Sequence, residues 1–464
     1  MALSDPNYLF FLATMVAALV FVPHQARLAV LVAGSIAFYL GFNGTILPLA
    51  WVVALAFGFG ILLDRVKHGR ARTGLFCLGL LLVLLPLVLY KFGPSVLPNA
   101  SHALGLLSFP VGISFFSFAA CGYLIDVYVG TTRAETNALR VSAFLTFFPT
   151  VSAGPIERKE RFLSQLGRLG RPSPEQLRDG LRAILVGAFL KLVVADSLAP
   201  YVNAVFSSPL EKSGADLALG TFYFAFQVYA DFAGYSLIAL GSAALVGIRI
   251  VANFNQPYLA QTVPDFWRRW HISMSSWFRD YVFVPLQFRL RKMGMVGFSI
   301  AMVATFAAVG IWHGTGWQFL AFGILHGLAS VLSSLTLPAR NRLVGRLSLP
   351  VPLLVSFRTI MTFVFVCATL VLFRATSIEE ALAIYGRIAG AWGTRSLPIV
   401  IPILLVGIVV VGDLLAEHTK PLDAVPRYVR WAGYYLATIL MIVVYVRHLG
   451  EIGNYGQQFI YFRF

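Results

Sequence analysis

Residues 296–317 read VGFSIAMVATFAAVGIWHGTGW, an apolar run that ends in the turn Trp312-His313-Gly314-Thr315-Gly316-Trp317. A stretch of about 20 such residues, wound as a helix, crosses the hydrocarbon core of a bilayer. Comparable runs recur along the chain, at 7–24, 28–42, 46–63, 74–92, 104–128, 138–153, 181–206, 215–248, 296–312, 317–337, 352–373, 397–416 and 429–447. Most are expected to cross and one or two to re-enter, which gives about eleven crossings. The composition agrees. Hydrophobic residues make up 58% of the chain and charged residues 12%, against about 25% charged in soluble proteins. The expectation is an all-α polytopic membrane protein, a single membrane domain with no soluble domain and no internal repeat. The 39 Phe, 18 Tyr and 8 Trp suit membrane interfaces and helix packing.

A net charge of +16 raises the question of nucleic acid. Its distribution argues against it. The basic residues gather in short loops, at Arg65–Arg72, Arg158–Arg182, Arg289–Lys292 and Arg340–Arg346, which is the positive-inside pattern of cytoplasmic loops beside anionic lipid. With these loops inside, the N-terminus and the loop Asn43-Gly44-Thr45 lie outside. The first apolar run, Tyr8 to Val22, follows Asp5 rather than a basic segment and reads as a membrane helix, not a cleaved signal. Cys77, Cys121 and Cys367 share no spacing and read as packing residues. The segments 104–128 and 138–153 carry Pro110, Gly112, Pro149, Gly154 and Pro155, breaks expected to border a cavity. Ser173-Pro174-Glu175-Gln176 reads as a helix start. Residues 377–389 read as an interfacial amphipathic helix.

Two segments concentrate titratable groups. Residues 265–281 read DFWRRWHISMSSWFRDY; as one helix they align Trp267, Trp270, Met274, Trp277 and Tyr281 in an aromatic stripe. Arg268, Ser275 and Arg279 fall on the adjoining polar face, with His271 at the boundary. An interfacial anchor with basic headgroup contacts is the alternative reading of this pattern. His313 follows a membrane run and enters a glycine-flanked turn, where Trp312 and Trp317 are expected to shield its imidazole. A desolvated neutral imidazole suits a general base; a structural histidine bonded across helices is the alternative, and the expected one for His326. Asp231 is placed either to orient an imidazole or to pair with a cation, and Asp126 in an ion pair. The sequence has no phosphate loop, no HExxH, no GxSxG and no metal-ligand cluster.

Taken together, Phe109–Phe118, Phe148–Arg158, Asp231–Ser236, Asn253–Tyr258, the 265–281 block, Trp312-His313-Gly314 and Phe459–Phe464 resemble the membrane-bound O-acyltransferase (MBOAT) family, in its bacterial alginate O-acetyltransferase-like branch. The dense motifs run from about 105 to 330. The resemblance implies a helical bundle of about 11 crossings around a central funnel in the bacterial inner membrane. It implies an O-acyltransferase that passes an acyl group, expected to be acetyl, from a cytoplasmic thioester to a hydroxyl of an extracytoplasmic polysaccharide. It implies His313 and His271 as the catalytic pair. Trp270, Ser275, Arg268, Arg269, Arg279, Asp231 and Trp312 then support the substrates, the arginines as phosphate contacts for coenzyme A. No bound cofactor or metal is expected; acetyl-CoA or an acyl carrier protein is the donor, and a periplasmic SGNH-type acetyltransferase the expected partner. Two rival readings stand beside it: D-alanyl transfer to teichoic acid from a carrier protein, and a permease or polysaccharide-export subunit whose buried His and Asp residues relay protons.

Overall fold

The computed structural model describes residues 3, 6–43, 45–96, 109–347, 350–418 and 425–450. Asp5, Gly44, the first residues of the expected span at 104–128 and the Phe459–Phe464 motif lie outside them. Every regular element among the described residues is helical. Nine of the helices are long and apolar enough to cross a membrane: Leu47–Arg65, Arg70–Pro94, Pro174–Phe206, Gly214–Leu245, Arg291–His313, Trp317–Arg346, Val351–Arg374, Val400–Glu417 and Arg427–Val446. Asn7–Phe21 and Ile113–Val129 are apolar but shorter. This is a multi-pass membrane protein. Many Leu, Ile, Val and Phe side chains of these helices stand exposed, as they must where lipid rather than protein is the neighbour. The span expected at 138–153 is corrected: the chain is helical only over Ala138–Thr146 and then turns. The helix ends at its cap residue Phe147, whose ψ is 113°, two residues before Pro149, which has no N–H to continue the ladder.

The chain gathers into two compact units, residues 1–188 with 234–252, and residues 189–233 with 253–464. In the first, Tyr8 donates its hydroxyl hydrogen to Ser242 Oγ at 2.7 Å, and its ring packs edge-on against Phe38. Gly112 precedes the Ile113–Val129 helix at φ 78°. A Cβ there would lie 1.8 Å from the Val151 carbonyl oxygen, so both the backbone angle and the space demand glycine. Ser173 and Gln176 form the expected helix start reciprocally. The Gln176 N–H donates to Ser173 Oγ, and the Ser173 N–H to Gln176 Oε1, a capping box.

In the second unit, Ser377 caps the helix Ile378–Gly390 by accepting the Glu380 N–H at 3.2 Å. That helix buries Ala381 and Ile384 and exposes Leu382. The core of this unit is aromatic, built from Phe222, Phe226, Tyr229, Phe254, Tyr258 and Trp270. Offset and edge-to-face ring pairs such as these are worth about 0.5–1.5 kcal/mol each beyond their buried area.

Candidate active site

His313 is the last residue of the helix Gly294–His313, which pairs with Trp317–Leu347 as a tight hairpin. The two helices approach because small residues meet backbone. A Cβ on Gly310 would lie 2.3 Å from Phe319 O, and one on Gly323 would lie 2.2 Å from Phe306 O. Such contacts let membrane helices pack at short range. They leave His313 only 4% exposed. Its ring lies 4.6 Å from Trp312, 5.0 Å from Phe373 and 5.9 Å from Phe322, centroid to centroid. The expected shield is corrected at one position. Trp317 is 75% exposed, because it begins the second helix and points away; Phe322 and Phe373 take its place.

A cavity of about 20 Å³ opens beside His313, lined also by Trp267, Trp270, His326 and Leu370. It has room for about one water molecule. His326 is fixed at both nitrogens. Trp267 donates its indole N–H to Nδ1 at 3.1 Å, and Nε2 lies 2.9 Å from Thr369 Oγ1. Thr369 donates its own hydroxyl hydrogen to Val366 O. The network therefore assigns the proton to Nε2 and makes the imidazole neutral, since an indole N–H only donates.

The reading of 265–281 as one helix is overturned. The chain is helical over Val263–Arg269, extended at Trp270, left-handed at His271 and helical again over Ile272–Phe278. His271 has φ 43° and ψ 55°, an uncommon place for a residue with a Cβ and a strained one. A second segment holds it there. The Asn255 N–H donates to Arg269 O, the Ile272 N–H to Asn253 O and the Ser273 N–H to Asn253 Oδ1. The aromatic stripe is thus divided, and His271 is turned fully inward at 0% exposure. Its ring meets Phe232 edge-on at 4.6 Å and Trp312 at 5.9 Å. The Trp312 indole is therefore a common neighbour of both imidazoles.

His271 lies outside the spanning helices, and burial pushes its pKa down from 6.5 to about 3. Because the folded value lies below the unfolded one, this group costs no stability above about pH 6.5. Stability falls as the pH drops from there toward 3, by about 2 kcal/mol at pH 5. An unfolding titration in detergent should show this loss, and His271→Gln should flatten it.

The remaining predicted residues fall in four places. Asp231, 1% exposed on the Gly214–Leu245 helix, pairs with Lys191 at 2.8 Å, and Lys191 pairs in turn with Asp196 at 2.7 Å. Lys191 lies in a π-helical stretch, Leu190–Ala195, a feature frequent at functional sites. Ser275 donates to Trp270 O at 3.0 Å and so braces the break. The arginines lie apart from the cavity. Arg268 and Arg279 are largely exposed beside Asp265 and Asp280, and Arg269 spans Asp265 and Glu417. Asp126 ends its helix by accepting the Gly130 and Thr131 N–H groups on its carbonyl oxygen.

Sequence reasoning missed Lys191. The signal available was a lone lysine in an apolar run with Asp196 five residues on. It also missed Phe322, Phe373 and Thr369, which nothing local distinguishes from packing. Among the described residues no three His, Cys, Asp or Glu gather as metal ligands.

The model of MBOAT, the membrane-bound O-acyltransferase family, matches residues 131–373, a little over half the chain. A probable alginate O-acetylase AlgI of Azotobacter vinelandii is 31% identical over 333 residues, 68% of this chain and 63% of that protein. The peptidoglycan O-acetyltransferase of Helicobacter pylori is 29% identical over 397 residues, 78% of this chain and 74% of that protein. The teichoic acid D-alanyltransferase of Bacillus subtilis is 30% identical over 288 residues, 60% of this chain and 71% of that protein. The chain spans between about half and two thirds of the length of the alginate O-acetylases it matches.

Proposed function

The chain belongs to the membrane-bound O-acyltransferase family, and on that premise we propose that it transfers an acetyl group from a cytoplasmic thioester to a hydroxyl of a polysaccharide outside a bacterial inner membrane. The observation that carries this reading is His313, buried among aromatic rings beside a small cavity at the end of a membrane helix. The basic residues Arg291 and Lys292, and Arg340 to Arg346, lie at the hairpin ends remote from His313. The positive-inside rule then puts His313 toward the outer side, where a glycan hydroxyl arrives.

The chemistry follows from an imidazole in a dry, ring-lined site. His313 accepts the proton of the acceptor hydroxyl as that oxygen attacks the thioester carbonyl. The tetrahedral intermediate collapses, the C–S bond breaks, and the thiolate takes up the proton as it leaves. His271, on the other side of Trp312, positions the thioester, with Trp270 and Ser275 holding the left-handed turn that aims it. Arg268 and Arg279, exposed toward solvent, offer guanidinium groups to the phosphates of coenzyme A. Arg269 ties the break to Glu417, and Asp231 acts through Lys191 to hold the helix that carries Phe232 against His271.

The donor decides between this reading and D-alanyl transfer, which the similarity to teichoic acid D-alanyltransferases favours. Purified protein in nanodiscs would be given acetyl-CoA or a D-alanyl carrier protein, and free thiol followed. Release from acetyl-CoA alone is expected. Release from the D-alanyl carrier alone would transfer the assignment to the second reading.

A further inference from the structure

Resting on the acyltransferase reading above, we propose that the cavity beside His313 seats the acyl group of the donor, and that Val366 and Leu370 restrict it to a short, uncharged chain. Three of the elements that wall this cavity supply most of its lining. Trp267 and Trp270 come from the broken segment, Phe322 and His326 from the hairpin, and Val366 and Leu370 from the helix Val351–Arg374. Val366 and Leu370 stand one helical turn apart and are nearly fully buried. The side chain between them on the same face, Thr369, is bonded to His326 Nε2, so this wall is tied to the opposite one. Trp267 is tied through His326 Nδ1 in the same way. The walls are cross-linked by hydrogen bonds and cannot retreat without leaving buried polar groups unpaired.

Size and charge then select the acyl group. The space, about 20 Å³, holds one water-sized group. A methyl group is of that size; each further methylene must displace a wall. Pockets of this kind discriminate one methylene by about 10-fold or more. None of the described side chains lining the cavity is acidic. A D-alanyl ammonium would be buried there without a counter-ion, which is costly. The same walls therefore exclude both longer acyl chains and the aminoacyl group.

The test is a donor competition on the full chain in nanodiscs. Wild type, Leu370→Ala and Val366→Ala would each receive acetyl-CoA and butyryl-CoA together, and the consumption of both thioesters would be measured. The ratio of the two rates is independent of how much of each preparation is folded. Wild type is expected to prefer acetyl by about 100-fold, and each variant to lower that preference by about 10-fold or more. A ratio unchanged in both variants, with acetyl-CoA still consumed, overturns the proposal and leaves the acyltransferase reading standing. So does wild type consuming butyryl-CoA as readily as acetyl-CoA. No thioester consumption by wild type overturns the reading itself, and the proposal with it.

Discussion

Lys191→Met is expected to destabilise the unit formed by residues 189–233 and 253–464 by about 3–5 kcal/mol, the usual cost of removing one partner from a buried ion pair. The lysine bridges two carboxylates, Asp196 and Asp231, and all three side chains are less than a tenth exposed. Methionine keeps the length and apolar stem but leaves two buried carboxylates facing each other. Asp231→Asn keeps the Lys191–Asp196 pair and should cost less. Combining Lys191→Met with Asp196→Asn and Asp231→Asn should recover part of the loss, since a neutral set leaves no bare charge. Unfolding in detergent, followed by tryptophan fluorescence, reads these differences. A change below about 1 kcal/mol for Lys191→Met would show that the triad is solvated rather than buried.

Replacing His313 with glutamine should lower acyl transfer by about 10²–10⁴-fold, the range expected for loss of a general base. Glutamine retains a polar side chain of similar reach among Trp312, Phe322 and Phe373, so the ring cluster persists. The fall should appear in kcat, with KM for the donor little changed, because the lost interaction belongs to the transition state. His271 needs a different variant. Its backbone is left-handed, and glycine adopts that conformation freely. Activity lost in His271→Gly therefore reports the imidazole and not the strain of the turn. If His313→Gln and His271→Gly both fold and keep full activity, the two histidines are structural.

The spanning helices were legible because apolar runs of about 20 residues have few alternatives in a chain this poor in charge. The hairpin around His313 was legible for the same reason. The break at His271 was not. Nothing between Asp265 and Tyr281 is glycine or proline, and the 3-4-3-4 spacing of Trp267, Trp270, Met274, Trp277 and Tyr281 is what a continuous helix shows. The break is imposed from outside the segment, by Asn253 and Asn255, whose backbone and side-chain groups replace the missing helical bonds. Tertiary hydrogen bonds of this kind leave no local signature. Trp317 was misplaced for a related reason: adjacency in sequence says nothing about which side of a helix start faces the ring cluster. Lys191 was passed over because a lone lysine in an apolar run resembles a span end, and its partner Asp231 lies 40 residues away. The truncated helix at Ala138–Thr146 was signalled by Pro149, which has no N–H to extend the ladder beyond it.

In the proposed reaction the acyl group passes from a thioester on the side of the basic loops to a hydroxyl on the other, through His313. Sealed proteoliposomes with the basic loops facing inward, loaded with labelled acetyl-CoA and bathed in a hydroxyl-bearing glycan, test it directly. Wild type should release thiol inside and place the label as an ester outside, while His313→Gln does neither. Equal thiol release and equal outward label from both proteins would contradict the claim.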